Sequence, residues 1–203
     1  MTARVLSGSG FILASKSASR RAMLDAAGLA YEAIPAGIDE RALEIEMAGS
    51  PAEEVAQALA VAKAAAVSAV RPDAWVLGSD SLVAVEGRRF DKPVSRDDAA
   101  DHLRAFSGKV IELHSAASLV RGGKPAWVGH DIACLSVRNL SEDFIAEYLD
   151  AEWPEVSHCV GVFRIEALGV QLFDRIDGDQ FTVLGMPLLQ VLGALRELGV
   201  LTT

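Results

Sequence analysis

The chain has 203 residues, is 51% hydrophobic and carries a net charge of −9. This apolar content argues against a disordered chain, and the acidic balance argues against broad nucleic-acid binding, which needs a basic face. The length fits one sizeable core, so we expect a single domain over residues 1–203.

No run reaches transmembrane length, and the N-terminus lacks a charged segment followed by an export-length apolar core. We therefore expect a cytoplasmic protein with no membrane contact. Cys134 and Cys159 are far apart and outside any CxxC spacing; they read as small buried hydrophobes in a reducing compartment. His102, His114, His130 and His158 are scattered along the sequence, so no zinc-type cluster emerges. A metal here is expected to be a hard cation on carboxylates.

Phe11 to Ala14 reads as a buried strand, followed by Ser15, Ser17 and Ser19, then Arg20 and Arg21. A helical pattern over Ala22 to Ala27 ends at Gly28, a left-handed cap. Two guanidinium groups in a first helical turn oppose the helix dipole, and a bound anion reverses that penalty. Serine hydroxyls, free N–H groups and forked arginines at one spot suit a phosphate chain; a plain serine cap with solvated arginines is the alternative.

Tyr31 to Pro35 suggests a second strand. Gly37 to Glu46 is acid-rich, and Asp39 and Glu40 in it read first as a solvated loop. Ser50-Pro51-Ala52-Glu53 is a helix start with Ser50 as cap and Pro51 first in the helix, running to about Val70. Lys63 borders its apolar stripe, either snorkelling or directed into a cleft. Ala74 to Leu77 reads as a strand broken at Gly78-Ser79-Asp80-Ser81 and resumed over Leu82 to Val85, with a hairpin turn at Glu86-Gly87. Asp80 is then either a turn residue or a site residue, because a carboxylate between apolar strand runs needs a partner. Lys92 follows near the same strand end.

Ser95 starts a helix through Phe106. Val110 to Val120 and Trp127 to Val137 form an antiparallel pair around Arg121-Gly122-Gly123-Lys124, and Ser141 begins another helix. Gly161 to Ile165 and Val170 to Ile176 suggest strands, and Pro187 starts a last helix closed by Gly199. The order of elements predicts an α/β fold: a mixed twisted sheet flanked by helices, in two lobes with a central cleft.

Three stretches, LASKSASRR, GSDSLVAVEG…FDKP and GVFRIEALGVQLFDRIDGDQFTVLGMPL, together with AKA around Lys63 and SGK at 107–109, resemble the Maf family of nucleotide pyrophosphatases. The resemblance runs in order along nearly the whole chain. It implies hydrolysis of nucleoside triphosphates to monophosphate and pyrophosphate with a divalent metal, Mg or Mn, often by a homodimer. It matches Asp80 to the family's catalytic base and Lys63 and Lys92 to its cleft lysines. Ser15, Ser17, Arg20 and Arg21 fall on its phosphate-binding turn, Arg20 being the better-matched arginine. Glu40 matches an acidic position that helps Asp80 hold the metal.

Positions associated with choice of base fall at Ser19, Ser81 and Glu166. One branch of the family prefers dTTP and UTP and has arginine, threonine and glutamine there; the 7-methyl-GTP branch has glutamate at the third. Glu166 follows the second pattern, and a carboxylate suits a guanine edge or the positive charge of a methylated base. Ser81 matches neither branch, Ala18 replaces a usual proline, and Val160 replaces a small residue. The alternatives are the same chemistry on dTTP-, UTP- or CTP-type nucleotides, and a non-catalytic nucleotide sensor linked to septum formation.

Overall fold

The computed structural model describes residues 10–202. The first nine residues, where no export signal was read, and Thr203 lie outside the described residues. Seven strands form one mixed sheet. β1 (Phe11–Leu13), β2 (Tyr31–Ala33) and β3 (Val76–Val85) are parallel neighbours in the order β2-β1-β3. β5 (Val110–Arg121), β6 (Lys124–Val137) and β7 (Phe173–Asp177) continue the order from β3, each antiparallel to the last, while the short β4 (Arg88–Phe90) folds back on β3.

Helices cover both faces: α1 (Ala18–Ala26), α2 (Glu40–Glu46), α3 (Ala52–Val70), α4 (Arg96–Phe106), α5 (Glu142–Glu152), α6 (Gln180–Val183) and α7 (Leu188–Glu197). Side chains alternate across a strand, so parity along β3 assigns each residue to a face. Leu82 packs with Val55 and Leu59, and Val76 with Ala64 and Val67, which puts α3 over the even-numbered face. On the odd-numbered face, Leu77 and Ala117 join α1 and α7, whereas Val83 and Leu113 join α4 and α5. Two apolar clusters thus share one sheet face, and Ser79, Ser81 and Ser115 lie on the strands between them.

Local chemistry explains the elements. Gly28 at φ +70° ends α1, as the sequence suggests, while Ser17, read as part of a serine-rich turn, caps its start at Ala18. Ser95 and Ser141 cap α4 and α5 through their side chains. Four readings are corrected. The acidic segment is not a loop: Asp39 caps α2 by accepting from the Ala42 N–H, and Glu40 begins the helix. Pro51, not Ser50, is the capping residue of α3, because Ser50 still closes the preceding turn through its N–H to Met47. β3 is one continuous strand with no break at Gly78–Ser81. Finally, Gly161–Ile165 forms a 3₁₀ turn and an extended connection, with Gly161 at φ +82° and Val162 at φ +57° incompatible with a ladder, and the strand expected over Val170–Ile176 starts only at Phe173, because 170–172 belong to a 3₁₀ turn; Phe173–Asp177 pairs as β7. α6 escaped the sequence reading altogether, being a single turn.

Candidate active site

The two edges of β3 are treated differently. β5 pairs with it from Val76 to Ala84 without interruption. On the other edge β1 covers Val76 and Leu77, and β4 covers Val83 to Val85. Among the described residues, 78–82 therefore have no neighbouring strand on that side, leaving a notch where β1 ends and its loop turns into α1. In open α/β sheets such a switch point beyond the carboxyl end of a strand is where ligands bind.

On the α3 side of the notch sits Asp80. Its Oδ1 is 2.5 Å from Lys63 Nζ, and the same ammonium is 2.7 Å from Glu40 Oε2. Lys63 is 8% exposed and Asp80 7%, so this is a desolvated pair, while Glu40 is exposed. A buried charge persists only with such a partner. Gly78 makes the arrangement possible. A Cβ there would sit on the Ala60 carbonyl and 2.8 Å from the Ala64 nitrogen, so only glycine lets α3 approach closely enough to lower Lys63 onto Asp80.

On the other face Ser15, Ser17, Arg20 and Ser81 meet. Arg20 is 9% exposed and spreads its fork over three partners: Nε donates to the Gly185 carbonyl at 2.9 Å, Nη2 to Ser81 Oγ at 3.1 Å and Nη1 to Ser15 Oγ at 3.4 Å. The Ser17 N–H donates to Ser15 Oγ, and Ser17 Oγ accepts from the Arg20 N–H. Burial draws the Arg20 guanidinium below its ordinary pKa, opposed by the negative charges of Asp80 and then Glu40, and it remains a cation. Those two carboxylates act on it from across the notch.

The remaining sequence candidates lie further out. Arg21 is exposed; its backbone N–H donates to the Ser17 carbonyl, and its own carbonyl accepts from the Tyr31 hydroxyl. Ser19 is half-buried. Lys92 and Glu166 are both exposed and act on Cys159, whose thiol is pushed up by burial first and by Glu166 next, with Arg164 and Lys92 opposing. Lys92 is tethered near α2 by its neighbour Asp91, which bridges to Arg41 at 2.9 Å. Cys134 and Cys159 are free thiols, partly rather than fully buried.

Sequence reading missed several groups. The Gly185 carbonyl accepts from Arg20, from Ser81 Oγ at 2.9 Å and from Ser79 Oγ at 3.3 Å. Ser115 lies 3.0 Å from Ser81 Oγ and donates to the Thr182 carbonyl, and Thr182 donates to Asp131 at 2.7 Å. The signal was the run of serines inside apolar strand segments, since a buried hydroxyl needs a partner. Gly185 at φ +99° adopts a backbone that other residues rarely take, and a Cβ there would be a tight 3.1 Å from Ser81 Oγ. The reading that no histidine cluster exists is overturned: a ligand atom from each of Glu53, His114 and His130 lies within 4.8 Å of the others.

A mixed sheet with an interrupted edge, a buried guanidinium on one face and a lysine-bridged pair of carboxylates on the other, defines an α/β protein with a charged site at a strand switch point. The chain belongs to the Maf family: the model described as Maf-like protein matches residues 10–198. Among similar proteins, the nucleoside triphosphate pyrophosphatase of Nitrobacter hamburgensis is 46% identical over 191 residues, covering 94% of this chain and 95% of that one. The 7-methyl-GTP pyrophosphatase of Rhizobium etli is 50% identical over 192 residues, covering 93% and 96%. That of Rhizobium meliloti is 46% identical over 190 residues, covering 93% and 96%.

Proposed function

We propose that this protein hydrolyses nucleoside triphosphates to the monophosphate and pyrophosphate, with 7-methyl-GTP as its leading substrate and housecleaning of modified nucleotides as its role. The observation that carries this reading is the meeting, across the notch in β3, of Arg20 with Ser15 and Ser81 on one side and Lys63 with Asp80 and Glu40 on the other. The names of the relatives describe the same chemistry, and two of them name 7-methyl-GTP.

In this reading the triphosphate lies in the notch. Arg20 and the Ser15 and Ser17 turn hold phosphate oxygens, with Arg21 and Lys92 closing from the exposed rim. Asp80 accepts the proton of the water that attacks the α-phosphorus. Lys63, held between two carboxylates, turns to the phosphates when they arrive and frees Asp80 for that role. Charge stabilisation of this kind is the main catalytic term in phosphoryl chemistry.

The same groups fit a divalent cation, Mg or Mn. Asp80 and Glu40 offer only hard oxygen donors, and they already converge on one cation, the Lys63 ammonium. Two carboxylates against Lys63 and Arg20 leave the buried part of the site near neutrality, so a polyphosphate would meet net positive charge only from Arg21 and Lys92 at the exposed rim. An ion on Asp80 and Glu40 would add positive charge and polarise water.

Choice of base is assigned to Ser19, Ser81 and Glu166. We further propose that the whole chain works as one domain, in the cytoplasm, as a homodimer, with no nucleic-acid or membrane partner; the family resemblance supports the dimer and the free thiols suit a reducing compartment. The test is a panel of triphosphates, methylated bases included, read by pyrophosphate release with Mg²⁺ and with Mn²⁺. Highest kcat/KM on 7-methyl-GTP is expected. No pyrophosphate from any member would overturn the reading.

A further inference from the structure

We propose that Glu53, His114 and His130 form a binding site for a divalent transition ion of the zinc and cobalt class, separate from the carboxylates at the notch. The site is built by strand register. His130 pairs with Ala116, and His114 lies two residues before Ala116 on β5, so both rings stand on the face that α3 covers. The rings stack with centroids 5.6 Å apart and planes 18° apart. Glu53 reaches them from the first turn of α3, and one ligand atom from each of the three residues lies within 4.8 Å of the others.

A second, independent observation points to a ligand. His114 is 7% exposed, and its Nδ1 is buried with no hydrogen-bond partner among the described residues; His130 Nε2 is in the same condition. Unsatisfied buried polar atoms are rare in folded proteins, and two on facing rings ask for one shared partner. Burial, and then His114, hold the His130 imidazole below its usual pKa, against Glu53 and Asp131, so its ring is neutral near pH 7 and keeps a lone pair. Glu112 Oε2 stands 3.6 Å from His114 Nε2, beyond hydrogen-bond distance, and a small movement of its exposed side chain would let it orient a ligating ring.

The donors decide the class of ion. Two imidazoles and one carboxylate favour borderline ions over Mg²⁺, which takes oxygen ligands and sheds water reluctantly. Donors in a tetrahedral site stand roughly 3.4 Å apart at the usual bond lengths. Glu53 is exposed, so its carboxylate can close the remaining gap. A fourth position is left for water. The ion would pin the start of α3 to β5 and β6, ten residues from Lys63 on the same helix, about 15 Å along its axis. Its effect is therefore on the hold of α3 on the sheet.

The test is a titration of the metal-stripped full-length protein with Co²⁺ in excess Mg²⁺, followed by visible absorption, and with Zn²⁺ by calorimetry. One equivalent is expected, with a higher melting temperature when it is bound. Glu53→Gln and His130→Gln should each weaken binding tenfold or more, while Asp80→Asn should leave it unchanged. Absence of saturable binding, affinity unaltered in Glu53→Gln, or loss of binding in Asp80→Asn would each overturn the site. Glu53 is exposed, so that variant decides the matter even if His130→Gln does not fold. The outcome does not depend on the triphosphate panel.

Discussion

Arg20 Nη2 donates to Ser81 Oγ at 3.1 Å across 61 residues of sequence, and the neighbouring Asp80 points to the opposite face of the same strand to meet Lys63. Consecutive residues of one strand thus hold the cationic and the acidic halves of the site. At these residues neither β1 nor β4 covers the edge of β3.

The fork of Arg20 is the part that a lysine cannot copy, because three partners lie in different directions around one planar group. Arg20→Lys should keep the charge, raise KM and lower kcat, with kcat/KM down by roughly 10- to 100-fold. Steady-state kinetics checks this. An unchanged kcat/KM would put the phosphates elsewhere.

Asp80→Asn should leave folding intact, since the amide oxygen still accepts from Lys63 and Lys63 keeps Glu40. Pyrophosphate release should fall by about 10²- to 10⁴-fold, the usual contribution of a general base. Turnover close to wild type in a variant with a normal melting curve would remove Asp80 from the chemistry.

How much of this was legible beforehand depends on where the decisive force lies. Gly28, Ser95 and Ser141 act locally on the backbone, so the C-terminal end of α1 and the starts of α4 and α5 could be read from the sequence. Asp80 looked like a strand breaker because its compensation comes from Lys63, on an element 17 residues away, pressed close by Gly78. The histidine cluster was hidden for another reason. At its turn the hairpin pairs Arg121 with Lys124, and that register would put His130 opposite Ser115, on the other face from His114. A bulge between Leu119 and Val120 shifts the ladder by one, bringing His130 opposite Ala116 and onto the face of His114. No residue pattern in the strands announces that shift.

Gly78→Ala tests the close approach directly. The new methyl meets the backbone of α3 at Ala60 and Ala64, which cannot rotate away, so the helix must lift. Overpacking of this kind costs about 1–3 kcal/mol. Lys63 would be drawn from Asp80, so activity should fall along with stability. Denaturant unfolding and kinetics on the same sample check both; a variant as stable and active as wild type would show that the helix has slack.

Glu166 is exposed, so replacing it should cost little stability and isolate any effect on the base. Glu166→Gln is expected to lower the preference for 7-methyl-GTP over dTTP and UTP by roughly tenfold, the worth of one polar contact. The triphosphate panel measures it, and an unaltered order of preference would release Glu166 from that role.

The protein should lose stability as the pH falls below about 6.5, the ordinary histidine value. His102 packs edge-on against Phe90, with ring centroids 5.2 Å apart, and its Nδ1 is buried without a partner among the described residues. Burial is the main cause holding its folded pKa below the ordinary 6.5, helped by Arg88 and opposed by Asp98, Asp91 and Asp101. His130 is lowered too, by burial first. A lowered base binds its proton less readily when folded than when unfolded. Stability is therefore complete above about pH 6.5 and declines as the pH falls through the unfolded value toward the folded one. In His102→Phe the ring remains while one titration disappears. Urea midpoints measured from pH 8 to 5 should fall less steeply than in wild type, with the residual slope belonging to His130 and any other groups that titrate in that window. Equal slopes in the two proteins would mean that the His102 proton is bound as readily in the fold as outside it.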